Sequence, residues 1–215
     1  MIKTVLFDLG GVIINIDRDR SVNAFENLGL KDASSYLDCY KQKGFFLELE
    51  DGRLDAGGFC TELSRLCGKT ITCEQASQAW LSIITEVPLE RLSFLKALRK
   101  QYRVCLLSNT NPFIMDWAAN PDFCGTGSSL YKFFDHLFLS YRMQCVKPDP
   151  VIFEKVLATL NDKPGEILFI DDGPANIKAG QDLGMLTYMP VNGTNWIPDV
   201  QKILANSVTN RNRSE

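Results

Sequence analysis

Four short runs of apolar residues constrain the fold of this chain more than any other feature. They are nearly continuous rather than alternating, and they cover Thr4–Phe7, Val104–Leu107, Ile167–Ile170 and Leu186–Met189. Runs of this kind are typical of parallel strands that helices bury on both faces. A weaker fifth run covers Leu137–Leu139. The runs therefore predict a parallel sheet.

Helical patterns lie between these runs. Apolar residues recur at helical spacing over Leu89–Arg99 and Val151–Leu160, and a third helix is expected to begin at Pro174 and end near Gly184. Strands that alternate with helices predict an α/β fold with a doubly wound parallel sheet.

The stretch between the first two strands is too long for a single crossover helix. Residues 16–86 carry apolar side chains spaced by three or four, for example over residues 80–84, and these spacings predict helices. We interpret residues 16–86 as an inserted α-helical cap domain and residues 1–15 with 87–215 as the α/β core domain. A larger sheet with extra surface helices is the alternative.

Charge and hydropathy exclude several classes of function. The chain has 23 Lys and Arg against 26 Asp and Glu, a formal net charge of −3, which argues against nucleic acid and against a polybasic membrane surface. No run approaches the roughly 18 apolar residues of a membrane span, and Asp8 interrupts the apolar start that would otherwise resemble a signal peptide. No exposed apolar stripe stands out, so we expect a monomer or a weak dimer.

The cysteines show no metal-binding or redox pattern. Their number, seven, is odd, no pair has the spacing C-x-x-C, and the lone His136 excludes a multi-histidine metal site. We expect reduced thiols in a cytoplasmic protein, most of them as small core residues. They are Cys39, Cys60, Cys67, Cys73, Cys105, Cys124 and Cys145.

Polar side chains follow the predicted strands at their carboxyl ends, where α/β sheets bind ligands. They are Asp8 after the first run, Ser108 and Asn109 after the second, Lys147 after the weaker run, and Asp171 with Asp172 after Ile167–Ile170. Each of them alone also fits a turn, a helix cap or an exposed position. Their common placement at strand ends predicts one shared site.

Three carboxylates in one place need a cation. Asp8, Asp171 and Asp172 would raise one another's pKa unless positive charge lay among them. Mg²⁺ prefers oxygen ligands, and Lys147 adds a second positive charge. An anionic nucleophile can approach a phosphate only with such compensation. The residues therefore predict a metal-dependent phosphoryl-transfer site.

Four motifs resemble those of the haloacid dehalogenase (HAD) superfamily in content and order. They are FDLGGV (7–12), LLSNT (106–110), KPDP (147–150) and FIDDGPANI (169–177), and GRLDAGGF (52–59) resembles a recurrent cap segment. The resemblance covers nearly the whole chain and is strongest to bacterial alpha-glucose-1-phosphate phosphatases and to the N-terminal phosphatase domain of soluble epoxide hydrolases. It implies a HAD-like Rossmannoid core and a Mg²⁺-dependent phosphatase of a small phosphorylated metabolite, such as a sugar phosphate.

The resemblance also implies a role for each residue of the site. Asp8 is expected to be the nucleophile that forms an aspartyl-phosphate, and Lys147 to bridge Asp8 and a phosphoryl oxygen. Ser108 and Asn109 are expected to bind the phosphate. The implied metal ligands and their supporting residues are Asp8, the Gly10 carbonyl, Asp172, Asp171 through a water, and Asn176.

Position 10 departs from the family pattern. Many family phosphatases have a second Asp there as general acid and base, whose help is typically worth about 10²–10⁴-fold, but Gly10 cannot move a proton. Three explanations remain open. The leaving group needs little protonation, as with the anomeric hydroxyl of a hexose 1-phosphate; Asp17 carries the proton instead; or catalysis is weak.

Two other functions remain open. A 2-haloacid dehalogenase also lacks the second Asp, but the Asp171–Asp172 pair disfavours it because two carboxylates would repel a haloacid. A non-catalytic phosphate-binding regulatory protein is compatible with Gly10.

The inner face of the cap is expected to control which substrate is accepted. Phe45, Phe46, Glu48 and Trp80 are candidates for this face. For any one of them, a place in the cap core or in solvent fits better.

Overall fold

The computed structural model describes residues 1–38 and 41–209, so that Cys39 lies outside the described residues. Its main sheet has five parallel strands in the order β5-β4-β1-β6-β7, and β2 pairs with β3 in a separate antiparallel ladder. The strands are β1 (Thr4–Phe7), β2 (Asn15–Ile16), β3 (Ile84–Glu86), β4 (Arg103–Ser108), β5 (His136–Leu139), β6 (Ile167–Ile170) and β7 (Leu186–Tyr188).

Helices connect the strands of the main sheet and fill the segment between β2 and β3. They are α1 (Arg18–Asn27), α2 (Gly44–Glu50), α3 (Ala56–Cys67), α4 (Cys73–Leu81), α5 (Leu89–Leu98), α6 (Pro112–Ala118), α7 (Ser140–Met143), α8 (Pro150–Leu160), α9 (Pro174–Asp182) and α10 (Ile197–Thr209). Among residues 1–38 and 41–209, no helix is both long and apolar enough to cross a membrane.

Strand β1 lies at the centre of the sheet and shows why its sequence is continuously apolar. Val5 and Phe7 belong to one buried cluster, which includes residues of α5 and α10, and Leu6 belongs to a second cluster with residues of α8 and α9. Both faces of the strand are therefore covered, and all four of its residues are buried. The predicted doubly wound parallel α/β sheet is confirmed.

Helices α1 to α4 surround an aromatic cluster. The ring centroids of Phe25 and Phe46 lie 4.9 Å apart, those of Phe46 and Trp80 lie 5.2 Å apart, and those of Phe46 and Phe59 lie 5.0 Å apart. Buried aromatic pairs at these separations stabilise a core beyond the area that they bury. Phe45 and Phe46 are buried in this core, as the core interpretation of these residues predicts.

The β2–β3 ladder joins the two ends of the helical segment. Ile16 pairs with Ile84 and Asn15 with Glu86, and the Asn15 amide donates to the Glu86 carboxylate at 2.7 Å. The helical prediction was therefore wrong for Ile84, because α4 ends at Leu81 and the β-branched Ile84 pairs as a strand. The expected boundaries of the cap at residues 16 and 86 fall at this ladder, and the division into two domains stays a prediction.

The expectation of reduced, mostly buried cysteines was wrong in two respects. Cys60 of α3 and Cys73 of α4 form a disulfide, since the two helices bring their Cα atoms to 5.6 Å, within the range that a disulfide spans. Among the free cysteines of the described residues, Cys105 is buried in β4, but Cys124 is exposed. The other two, Cys67 and Cys145, are half-buried because they lie at the end of a helix and in a loop.

Candidate active site

Three carboxylates meet at the carboxyl end of the sheet. Phe7 of β1 pairs with Ile170 of β6, so Asp8 and the Asp171–Asp172 pair leave adjacent parallel strands side by side. One carboxylate oxygen of each acid lies within 4.8 Å of the others. The predicted convergence of Asp8, Asp171 and Asp172 is what the structure shows.

Lys147 supplies the positive charge nearest to these acids. Its side chain is 1% exposed, and its Nζ lies 2.9 Å from Asp8 Oδ1 and 2.6 Å from Asp171 Oδ2. The same Nζ donates to the Leu107 carbonyl oxygen at 2.9 Å. Because an ammonium group has three N–H donors, a bond to a phosphoryl oxygen would share one of these donors.

The side-chain amide of Asn109 binds the backbone of Lys147 and so positions this residue. Asn109 Oδ1 accepts from the Lys147 backbone N–H at 2.8 Å, and Asn109 Nδ2 donates to the Lys147 carbonyl at 2.9 Å. This pair of bonds ties the end of β4 to the loop that carries Lys147. Ser108, just before it, is buried and lines the pocket, and its role in phosphate binding stays a prediction.

Asp171 and Asp172 are held in different ways. Asp171 is fully buried, and its Oδ1 accepts from the Gly173 N–H at 2.8 Å and from Asn176 Nδ2 at 2.9 Å. The Asp172 side chain has no ion pair among the described residues. Asp171 therefore supports the site through hydrogen bonds, whereas the Asp172 carboxylate remains able to bind a ligand.

Gly11 permits the close approach of Asp172 to the loop that follows β1. Its φ is +71°, and a Cβ at this position would overlap the Asp172 carboxylate. The adjacent glycines of FDLGGV are the sequence signal for this close approach, but the close approach was not predicted from them.

Burial and like charges change the acidity of the cluster. Burial raises the pKa of Asp8 to about 7, against the opposing effect of Lys147 and with a further increase from Asp171 and Asp172. Burial and the Asp171 charge raise the pKa of Asp172 to about 6. Burial would lower the pKa of Lys147, but the two neighbouring carboxylates, Asp171 and Asp8, raise it.

The atoms that could act as metal ligands in this cluster fit a hard divalent cation. One ammonium group faces three carboxylates, so the cluster carries excess negative charge, and its free donors are oxygens, the ligands that Mg²⁺ prefers. Asp8, Asp172 and the backbone carbonyl of Gly10 are the residues that would hold the ion. Asp171 and Asn176 would support them.

The cluster opens into a pocket of about 110 Å³ between the sheet and the helical segment. The sheet side presents Asp8, Ser108, Lys147 and Asp172. The opposite side is lined by residues of the helical segment: Arg18, Asp38, Gln42, Glu50, Trp80 and Ile83.

Asp17, the candidate proton carrier, is not among the residues that line the pocket. Its exposed carboxylate caps α1 by accepting from the Asp19 N–H at 3.0 Å. The Asx cap explains why an acid occurs at this position. The pocket lining includes the neighbouring Arg18 instead.

Glu50, and not the candidate Glu48, is the acid of α2 that lines the pocket. Glu50 is 5% exposed, whereas the Glu48 side chain is 43% exposed and lies outside the pocket. Burial and the nearby Asp8 charge raise the pKa of Glu50 to about 8. Trp80, a predicted candidate for the inner face, does line the pocket.

Comparison with known proteins agrees with this geometry. The model of a protein family described as haloacid dehalogenase-like hydrolase matches residues 2–184. The chain belongs to this family. A HAD-like family hydrolase from Porphyromonas gingivalis has the same fold, with a TM-score of 0.91 and 44% identity over 95% of this chain and 98% of the other.

Two further HAD relatives bear on the chemistry. The chain is 48% identical, over 95% of its length and 99% of the relative's, to the D-ribitol-5-phosphate phosphatase of Bacteroides thetaiotaomicron. A wild-type HAD family enzyme from the same organism, solved in complex with magnesium and inorganic phosphate, has a TM-score of 0.83 and 35% identity over 91% of this chain and 98% of that one. The predicted HAD membership is confirmed.

Proposed function

We propose that this HAD hydrolase is a Mg²⁺-dependent phosphatase that hydrolyses the phosphate monoester of a small polyol or sugar. The convergence of Asp8, Asp171 and Asp172 beside the buried Lys147 is the single observation that carries this proposal. The magnesium and phosphate bound to one solved relative and the phosphatase activity named for another support it.

Asp8 is the nucleophile in this proposal. Its Oδ1 accepts from the Leu9 N–H at 2.7 Å and from Lys147 Nζ, whereas Oδ2 has no such donor within the described residues. Oδ2 would attack phosphorus, forming an Asp8–phosphate bond while the ester P–O bond breaks and the alcohol leaves. Water then hydrolyses the aspartyl-phosphate and releases phosphate. Asp8, Asp172 and the Gly10 carbonyl would hold Mg²⁺, which would supply positive charge that offsets the charge of the phosphate.

Lys147 and Ser108 complete the proposed mechanism. The buried Lys147 favours the carboxylate form of Asp8 and offsets negative charge as it develops on the transferring phosphoryl group. The Ser108 hydroxyl lines the pocket and donates to the Asn109 carbonyl at 3.3 Å, and it would turn from this acceptor to a phosphate oxygen. Gly10 offers no side chain for proton transfer, so the leaving oxygen takes its proton from another source.

The proposed substrate class is supported by the 48% identical relative, whose named substrate is an open-chain polyol phosphate. This identity favours a polyol phosphate over the hexose 1-phosphate suggested by the missing acid at position 10. The polar wall formed by Gln42 and Glu50 suits hydroxyl groups.

A hydrolysis screen tests the proposal. The purified protein would be assayed with D-ribitol 5-phosphate, a hexose 1-phosphate and a 2-haloacid, each with Mg²⁺ and with a chelator. We expect phosphate release from D-ribitol 5-phosphate that the chelator abolishes. Halide release that persists with the chelator would favour a dehalogenase, and tight phosphate binding without turnover would favour a regulatory protein; either result would refute the proposal.

A further inference from the structure

Trp80 carries a buried donor that the protein itself does not satisfy. The residue is 2% exposed, and among the described residues its Nε1 has no hydrogen-bond partner. Phe25, Phe46 and Phe59 fix the indole, with ring centroids 5.7, 5.2 and 6.0 Å from that of Trp80. A buried N–H without an acceptor is costly, and Trp80 lines the pocket, so an acceptor brought by the pocket's occupant would satisfy this donor.

Glu50 is a buried acid on the same side of the pocket. It is the last residue of α2, and within the described residues its carboxyl has no ion pair with Lys or Arg. Gln42, which also lines the pocket, forms a hydrogen bond with it. A buried carboxyl in this setting can exchange hydrogen bonds with a neutral hydroxyl, whereas burying a second phosphate or a carboxylate beside it would be costly.

The two sides of the pocket therefore differ in chemistry. The sheet side carries Lys147, the nucleophile and the acids suited to Mg²⁺, which together suit the ester phosphate. The side formed by the helical segment carries the indole donor of Trp80 and the carboxyl of Glu50, which suit hydroxyl groups. The Arg18 guanidinium of the same side already donates to the Leu37 and Ser34 carbonyls and to the Asp19 carboxylate.

We infer that Trp80 and Glu50 form a hydroxyl-binding subsite, which selects monophosphates of polyhydroxylated carbon chains over esters that lack hydroxyls or carry a second anion. The inference rests on the proposed phosphatase function and adds the residues that choose its substrate. Trp80 donates to a hydroxyl oxygen of the chain, and Glu50 hydrogen-bonds a neighbouring hydroxyl.

The test compares two substrates in matched variants. The ratio of kcat/KM for D-ribitol 5-phosphate to kcat/KM for phenyl phosphate, which has no hydroxyl group, would be measured with Mg²⁺ in Trp80→Phe and in Glu50→Met. Trp80→Phe keeps an aromatic ring in the cluster but removes the N–H, and Glu50→Met keeps the length of the side chain. Glu48→Met is the control, since Glu48 lies on the same helix but outside the pocket.

We expect the ratio to fall about tenfold in each pocket variant, as the loss of a buried hydrogen bond predicts, and to stay unchanged in Glu48→Met. Unchanged ratios in both pocket variants, with both esters still hydrolysed, would overturn the subsite and leave the phosphatase function standing. A wild-type protein that hydrolyses neither ester would refute the phosphatase function and the subsite with it.

To separate binding from turnover, the affinity of D-ribitol 5-phosphate would be measured by calorimetry in Asp8→Asn with and without Trp80→Phe. We expect the Trp80→Phe substitution to weaken binding about tenfold in this background. Equal affinities would contradict the assignment of Trp80.

Discussion

At the scale of single residues, Gly11 determines whether the Asp172 side chain can lie next to the loop that follows β1. With φ at +71° and no Cβ, it lets the carboxylate occupy space that any other residue would fill. Asp172 in turn is the acid of the cluster with the fewest protein partners, so its position depends on this glycine more than on its own hydrogen bonds.

Gly11→Ala is expected to weaken Mg²⁺ binding about tenfold or more, because the new methyl group displaces a ligand. The control is Gly68→Ala, since Gly68 has a similar φ of +66° but a Cβ added there would meet nothing within 4 Å. Both variants should lose about 1–2 kcal/mol of unfolding free energy from backbone strain. Calorimetric Mg²⁺ titration would measure the affinity, and wild-type affinity in Gly11→Ala would contradict this account.

The sequence identified most residues of the site but not all of them. Asp8, Lys147, Asp171 and Asp172 follow strands, and the geometry of a parallel sheet brings the ends of its strands together. Glu50 could not be chosen over Glu48 from the sequence, because the choice depends on how α2 is rotated against the sheet.

At the scale of elements, the tie between the end of β4 and the loop before α8 holds Lys147 in place. Asn109 binds both backbone polar groups of Lys147, so the ammonium group is positioned from its own main chain. This tie joins two segments that are 38 residues apart in sequence.

Asn109→Ala is expected to reduce kcat for phosphate-ester hydrolysis about 10–100-fold, since small displacements of a charged catalytic group are costly. Asn120→Ala serves as the control because it also removes an amide that accepts from a backbone N–H, that of Asp122, but on an exposed loop. Steady-state kinetics would measure the change. Equal kcat values in the two variants would show that the tie does not position Lys147.

Strands could be predicted where burial determines which residue types they contain. β1 and β6 match the predicted bounds because helices cover both faces of the sheet, so that every side chain except that of Thr4 is apolar. β2 and β3 were missed, since strands of two and three residues are too short to show a period.

At the scale of the whole molecule, the buried acids make the free energy of unfolding depend on pH. The pKa of Glu50 is about 8 in the folded chain against an ordinary value of 4.5. Between these values the folded chain keeps a proton that the unfolded chain releases, so stability falls as the pH rises through this range.

Glu50→Gln removes this titration, and the variant should therefore gain stability relative to the wild type as the pH rises from about 5 to 8. The gain should approach about 1.4 kcal/mol per pH unit at most. Urea unfolding at several pH values with a chelator would measure it. Glu48→Gln, whose side chain is 43% exposed in the wild type, is the control and should show a constant offset. A constant offset in Glu50→Gln as well would contradict the burial of this acid.

The most direct test of the central claim is a crystal structure of the wild-type protein with Mg²⁺ and beryllium trifluoride, a mimic of the phosphoryl group. We expect beryllium to be joined to the Asp8 carboxylate, with Mg²⁺ between Asp8 and Asp172, and no adduct in crystals prepared with a chelator instead of Mg²⁺. An adduct on another residue, or Asp8 unmodified with Mg²⁺ bound elsewhere, would contradict the account.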